Sequence, residues 1–202
     1  PVILSIGLAS LKDIRLALQI LKKYKSKKII ILQCVSSYPS PLNEQNLKII
    51  PLIEKKFRVI SGLSDHTIGS TAALTSVALG ASVIEKHFNL NDNKKTVDSF
   101  FSINSFDFKK MVSEIRNVEL LMGSAKFEIS KSSKKNLNGM RSIYVSKKIN
   151  KGEKISKDNI KVVRPAFGLH PKYYNKVLGK KVNRKLNFGE RLKLNYILRS
   201  KK

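Results

Sequence analysis

Two histidines stand in closely similar settings. His66 ends the run Gly62-Leu63-Ser64-Asp65-His66, with Thr67 after it, and His87 ends Glu85-Lys86-His87, with Phe88 after it. Each follows a short apolar tract, Arg58-Val59-Ile60-Ser61 before the first and Ala81-Ser82-Val83-Ile84 before the second. Between them, residues 70–79 are alanine-rich and free of proline, which predicts a helix closed by Gly80. The order is strand, helix, strand, with one imidazole just beyond the carboxyl end of each strand. In a parallel α/β array those ends emerge on one face, where such folds place their chemistry. A single histidine at a strand end reads readily as a hydrogen-bonded structural group. Two of the chain's three histidines at equivalent places one β/α unit apart form a candidate metal pair.

The elements that must hold this pair can be read from apolar periodicity. Residues 2–6 are a buried strand ending at Gly7, and residues 11–24 an amphipathic helix with Leu11, Ile14, Leu18 and Leu21 on one side and Ser10 as its cap. Residues 28–34 are continuously apolar, as in a strand covered on both faces. A Ser/Pro loop over 36–42 leads to a helix over 43–55, which Pro51 is expected to break early. The strand at 58–61, the helix at 70–79 and the strand at 81–84 come next. A last helix over 105–122 is capped by Ser105, with Phe108, Met111, Ile115, Val118 and Leu121 on one side.

Four consecutive β/α units predict a right-handed parallel sheet, equal to half of a (β/α)₈ TIM barrel. No Gly-rich nucleotide loop favours an open sheet instead. The first four barrel units are therefore expected to be absent from this chain, which opens on Pro1 and reads as a fragment. Residues 1–123 make the partial barrel and residues 124–139 a polar linker. From residue 140 the pattern changes to short tracts (141–145, 161–165, 177–182 and 192–194) separated by turns, with a capped helical turn over 156–160. That is a small β-rich module.

The chain carries 40 Lys and Arg against 14 Asp and Glu, a net charge of +26. The excess is regional: residues 1–123 hold 17 basic against 10 acidic groups, and residues 124–202 hold 23 against 4. Most are lysines, and no element gathers arginine and aromatics into a stripe, so nucleic acid is not the expected partner. A basic module gripping a polyanion is the alternative from a different functional class. No apolar run is long enough to span a membrane. The one cysteine, Cys34, excludes an internal disulfide, fits a reducing cytoplasm, and reads as a buried inert thiol.

The words GLSDHT and EKHF, with SIGLAS from Ser5 and QCVSSYPSP from Gln33, resemble the sialic acid synthase family. RSIYVSKKINKGEKIS, VLGKKV and NFGERL resemble the antifreeze-like (SAF, β-clip) domain that ends those enzymes. VDSFFSI and VRPAFGLHPKYY look most like the pseudaminate-forming branch, with the N-acetylneuraminate and legionaminate branches as alternatives. The resemblance implies a transferase that condenses phosphoenolpyruvate with an amino sugar, here a diacetamido trideoxy hexose, and releases phosphate. It implies a divalent metal, Mn²⁺ preferred and Mg²⁺ possible, held by His66 and His87. Ser5, Ser36 and Ser64 would help hold phosphoenolpyruvate, Tyr38 would line the sugar pocket, and Asp98 would bind sugar hydroxyls. Glu85 would bond the sugar or assist proton transfer, and Arg164 would contact the sugar's acyl group from a domain-swapped homodimer partner. His170 carries no implied role and reads as structural. With the family's other phosphate-binding groups on earlier strands, the chain alone is expected to lack synthase activity.

Overall fold

The computed structural model describes residues 1–90 and 96–198, which divide into two compact units, Pro1–Ala125 and Lys126–Lys202. In the first unit four parallel strands lie side by side in chain order: β1 (Val2–Ser5), β2 (Ile29–Cys34), β3 (Ile60–Asp65) and β4 (Val83–Lys86). Helices α1 (Leu11–Lys23), α2 (Ile49–Phe57) and α3 (Thr71–Ala78) make the crossovers, and α4 (Ser105–Met122) follows β4. Crossovers of one hand between sequential strands carry their helices to one face. The core shows it: Leu4, Ile31, Leu63 and Ile84 of the strands pack with Ile14 and Leu18 of α1, Ile50 and Ile53 of α2, Ala72 and Ala73 of α3, and Met111 and Ile115 of α4.

Side chains alternate across a strand, so the opposite face carries a second set. The register arranges it in three rows: Ile3, Ile30 and Ile60; then Ser5, Leu32, Gly62 and Val83; then Cys34, Ser64 and Glu85. Polarity rises toward the carboxyl ends, where His66 and His87 follow on the same face. Gly62 is required in its row. A Cβ there would stand 2.3 Å from the Val83 carbonyl oxygen and 2.6 Å from Leu32 Cδ2.

Several boundaries differ from the sequence reading, each for a local reason. The stretch expected as a helix over 43–55 begins with a short 3-10 turn (Leu42–Glu44), and α2 starts only at Ile49. Pro51 does not break α2, because it is the third residue, where the missing N–H is one that no helix satisfies. Arg58, expected to open a strand, instead closes α2 in the left-handed region (φ 55°). β3 therefore starts later and takes in Gly62, Leu63, Ser64 and Asp65; β4 likewise runs Val83–Lys86 rather than 81–84. Ser10 caps α1 as expected, in a reciprocal pair with Asp13 whose hydrogen bonds hold that carboxyl below its ordinary pKa. α4 is capped by Asn104, which accepts from the Asp107 amide, and Ser105 is the first helical residue. Leu121, expected on the packed side of α4, is 83% exposed, lying beyond Ile115, the last residue that helix buries. Two short parallel segments, β5 (Phe88–Asn89) and β6 (Ile103–Asn104), pair beyond β4 and bring the chain back to the head of α4.

In the second unit, α5 (Lys131–Lys134) and a 3-10 turn (Leu137–Gly139) occupy the stretch read as a linker. β7 (Ser142–Val145) pairs antiparallel with β8 (Ile160–Val163). The expected strand from Val177 is instead the end of α6 (Tyr174–Val177) followed by isolated bridges, Lys154 with Lys181 and Val182 with Ile197. What unites these pieces is a core in which Ile143, Ile149, Val182, Leu186 and Leu192 have no exposed surface. Among the described residues no helix is long and apolar enough to cross a membrane.

Because the atoms crowding Gly62 include backbone on β4, the Gly62→Ala protein is expected to lose about 1–3 kcal/mol of stability through forced separation of β3 and β4. Urea unfolding followed by circular dichroism measures it; an unchanged midpoint would show that the strands absorb the methyl group freely.

Candidate active site

His66 is buried at the end of β3, and its ring is held from the loop after β2. The Val35 carbonyl oxygen lies 2.9 Å from its Nδ1. A carbonyl can only accept, so Nδ1 carries the proton and the lone pair sits on Nε2. The Ser40 amide donates to the His66 carbonyl at 2.9 Å, fastening the same loop to the strand end. That loop is itself fixed by Gln45, whose side chain donates to Ser40 Oγ and to the Pro41 carbonyl at 2.8 Å each, while Gln33 donates to the Gln45 carbonyl. Tyr38 rides on the loop and lays its half-exposed ring 4.3 Å from the His66 ring.

His87 follows β4 and faces His66, their ring centres 5.2 Å apart and the planes inclined by 68°. Asp98 brings Oδ2 to 3.4 Å from His87 Nδ1, so in both rings an oxygen stands beside Nδ1. Phe101, buried, closes the site edge-on against His87 at 4.7 Å and stands 5.4 Å from Tyr38. Two imidazoles sharing one divalent ion at about 2.1 Å from each nitrogen have ring centres roughly 5 Å apart. The observed spacing fits such an ion. Among the described residues no cluster of three or more His, Cys, Asp or Glu side chains has metal-binding geometry, so the pair would leave most coordination positions to small ligands.

One row below, Ser64 Oγ donates to Glu85 Oε1 at 2.7 Å. Cys34 occupies the same row, with Sγ 3.9 Å from His66 Nδ1. Burial pushes the Cys34 thiol up from its ordinary pKa; hydrogen bonds with Ser64 and Ser36 pull it back in part, and the Glu85 charge adds to the rise. Ser36 packs over Gly7, where a Cβ would come within 2.3 Å of its hydroxyl. Ser5 stands a row lower at the end of β1, exposed on the same face.

The structure thus gathers His66, His87, Tyr38, Asp98, Ser64 and Glu85 at the carboxyl ends of β3 and β4, with Ser36 and Ser5 toward β1. Asp98, expected from the resemblance on sugar hydroxyls, stands against a histidine ring. Arg164 belongs to the second unit, where it is exposed after β8. His170 is structural there, its Nδ1 accepting from the Lys172 amide at 3.0 Å. Sequence reasoning passed over Asp65 and Lys86, the residue before each histidine, which form a buried ion pair of 2.8 Å. The signal was present, an acid and a base at matching positions of the two strand-end motifs. It also passed over Phe101 and Gln45, which only the folded loops bring to the site.

This site sits in a chain that belongs to the NeuB family: residues 1–127 match that family, and residues 140–195 match the SAF domain. The resemblance read from the two histidine motifs and the C-terminal tracts is borne out. The pseudaminic acid synthase of Campylobacter jejuni is 44% identical over 193 residues, covering 96% of this chain and 56% of that protein. The pseudaminic acid synthase of Helicobacter pylori is 40% identical over 201 residues, covering 99% of this chain and 59% of that one. Among solved structures, the spore coat polysaccharide biosynthesis protein spsE of Bacillus subtilis aligns with all of this chain and 62% of its own, at a TM-score of 0.57 and 31% identity. The chain therefore spans a little over half the length of the relatives it matches.

The raised Cys34 pKa sets the direction of its reactivity. At pH 8 a smaller fraction is thiolate than for an ordinary cysteine, so alkylation by iodoacetamide should be slow and should climb only above the usual thiol range. Mass spectrometry of the native protein, with the urea-unfolded protein as reference, reads the difference. Equal rates in the two states at pH 8 would contradict the burial argument.

Proposed function

We propose that the chain carries the metal-binding part of a pseudaminic acid synthase, an enzyme of nonulosonic acid biosynthesis that condenses phosphoenolpyruvate with a diacetamido trideoxy hexose. The observation that carries this is the pairing of two imidazoles, their ring centres 5.2 Å apart and each with Nδ1 beside an oxygen, above the Ser64–Glu85 row. The relatives' names support the branch. The sequential strand order and the three-row face opposite the helices support reading the sheet as consecutive staves of a (β/α)₈ barrel. The half-exposed Ile3 and Ile60 are then interior residues of that barrel's lower layer.

In the reaction, the methylene carbon of phosphoenolpyruvate forms a bond to the aldehyde carbon of the open-chain sugar. Water then adds to the enol carbon, and inorganic phosphate departs. His66 and His87 would hold a divalent ion, Mn²⁺ in preference to Mg²⁺, which when bound would supply Lewis acidity toward the sugar's aldehyde. Ser5 and Ser36, on or beside the face opposite the helices, would donate to the carboxylate or phosphate of phosphoenolpyruvate, and Ser64 would join them by turning its hydroxyl away from Glu85. Glu85, steadied by Ser64, is placed to accept a hydrogen bond from a sugar hydroxyl or to move a proton at it. Tyr38 and Phe101 offer apolar ring surface beside the imidazoles and exclude water there. Arg164, carried by the SAF domain, would meet the sugar's acyl group in a domain-swapped homodimer, and the enzyme would work in the cytoplasm on soluble substrates.

The test is phosphate release by the full-length gene product with Mn²⁺, phosphoenolpyruvate and either the diacetamido trideoxy hexose or N-acetylmannosamine. His66→Ala and His87→Ala should each lower the rate by about 10²-fold or more, since each removes a fixed stabiliser of developing charge. Turnover that survives the double change would overturn the metal reading. A preference for N-acetylmannosamine would move the protein to the N-acetylneuraminate branch.

A further inference from the structure

Lys86 and Asp65 are Cα partners in the register of β4 and β3, and each immediately precedes a site histidine. Both side chains are inaccessible, at 0–1% exposure. They turn to the face opposite that of Ser64, Glu85 and the histidines. Lys86 Nζ donates to Asp65 Oδ2 at 2.8 Å and, past His66, to the Thr67 carbonyl oxygen at 2.6 Å. The Thr67 amide in turn donates to Asp65 Oδ1 at 2.8 Å. One ammonium group on β4 therefore grips the backbone on the far side of His66 and, through Asp65, the near side as well.

We propose that Lys86 and Asp65 are positioning residues that set the separation and aim of the His66 and His87 imidazoles, and hence the affinity of the pair for a divalent ion. This rests on reading the two histidines as metal ligands. Two features favour it over a purely structural role. Taking an ion pair wholly out of water costs more desolvation than an apolar pair would, so burial alone does not explain why charge is used. And the contacts run to the residues that bracket His66 rather than along the strands, so what the ammonium fixes is the strand end. The ordinary parallel ladder holds β3 to β4 up to Asp65 with Lys86. Beyond that pair, the Lys86 side chain reaches from β4 past His66 to the Thr67 carbonyl, and Asp65 ties the Thr67 amide back to the same ammonium.

The experiment is a Mn²⁺ titration of the full chain, with free ion read by its electron paramagnetic resonance signal and folding checked by circular dichroism. Four proteins are compared: the parent, His66→Ala, Lys86→Met, and the double variant Asp65→Asn/Lys86→Met, which removes the charge pair without stranding a carboxylate. The parent should bind and His66→Ala should not. Lys86→Met or the double variant, folded, should bind about 10–100-fold more weakly than the parent, the range seen when a group orienting a metal ligand is lost. Parent-like affinity in either folded variant would overturn the proposal. So would failure of both to fold, which would make the pair structural. If His66→Ala binds as tightly as the parent, the metal reading fails first and takes the positioning role with it, an outcome this control separates from the others.

Discussion

The parallel register of β3 and β4 is the constraint on which the site depends. Gly62 pairs with Val83, Ser64 with Glu85 and Asp65 with Lys86, so the next residues, His66 and His87, leave the sheet side by side. Because side chains alternate with period two, a slip of one residue on either strand would carry one imidazole to the helix side and its neighbour to the open side. Nothing so drastic is available to the chain. Leu63 and Ile84 are committed to the core under α2, α3 and α4, and the Gly62 backbone lies against the Val83 carbonyl too closely for any other pairing of residue sizes. Apolar packing on one face thus fixes polar geometry on the other.

Much of this was legible before the fold was known. The strand–helix–strand order around the histidines, the carboxyl-end placement of both rings, and the helix over 70–79 follow from apolar runs and a closing glycine, and the structure keeps them. The strand ends were harder to read, because β3 finishes in Gly-Leu-Ser-Asp, a composition that ordinarily marks a turn. It is a strand here because Gly62 admits Leu32 and because the charge of Asp65 is met by Lys86 from the next strand. Neither partner is visible from local sequence. The same holds for Asp98, twelve positions after Lys86 in the chain yet against the His87 ring, and for Gln45, whose amide organises the loop under Tyr38. Local propensity reads elements well and reads their meetings poorly.

The second unit shows a related limit. Its alternating tracts announce β structure, yet among the described residues only β7 and β8 form a ladder, and the remaining pairings there are single bridges. Close backbone approach takes the place of long strands. Gly168 passes so near β7 that a Cβ would stand 2.5 Å from the Ile143 carbonyl oxygen, and the Ser142 hydroxyl accepts from the Gly168 amide while donating to the Pro165 carbonyl. A large positive charge is carried on such a frame at small cost, because the lysines lie outside an apolar core and are well solvated. The aromatic contacts of the unit's basic groups, Lys172 and Lys176 over Tyr173 and Arg184 and Lys193 over Tyr196, are made with its own tyrosines.

On the proposed metal reading, two histidines would suffice where three or four ligands would be expected of a structural ion. Each ring has an oxygen beside its Nδ1, from Val35 for one and Asp98 for the other, and each is flanked by an aromatic ring, Tyr38 or Phe101. Imidazoles held in place in this way would lose little freedom on ligation, so a sparse ligand set could still be selective while most of the coordination sphere stayed open to exchange. An ion held by more protein groups would be bound more tightly and would have fewer positions to offer an aldehyde oxygen and water. On this view the restraint in ligand number and the investment in orienting contacts are one design, and the buried Asp65–Lys86 pair is its foundation on the helix side of the sheet.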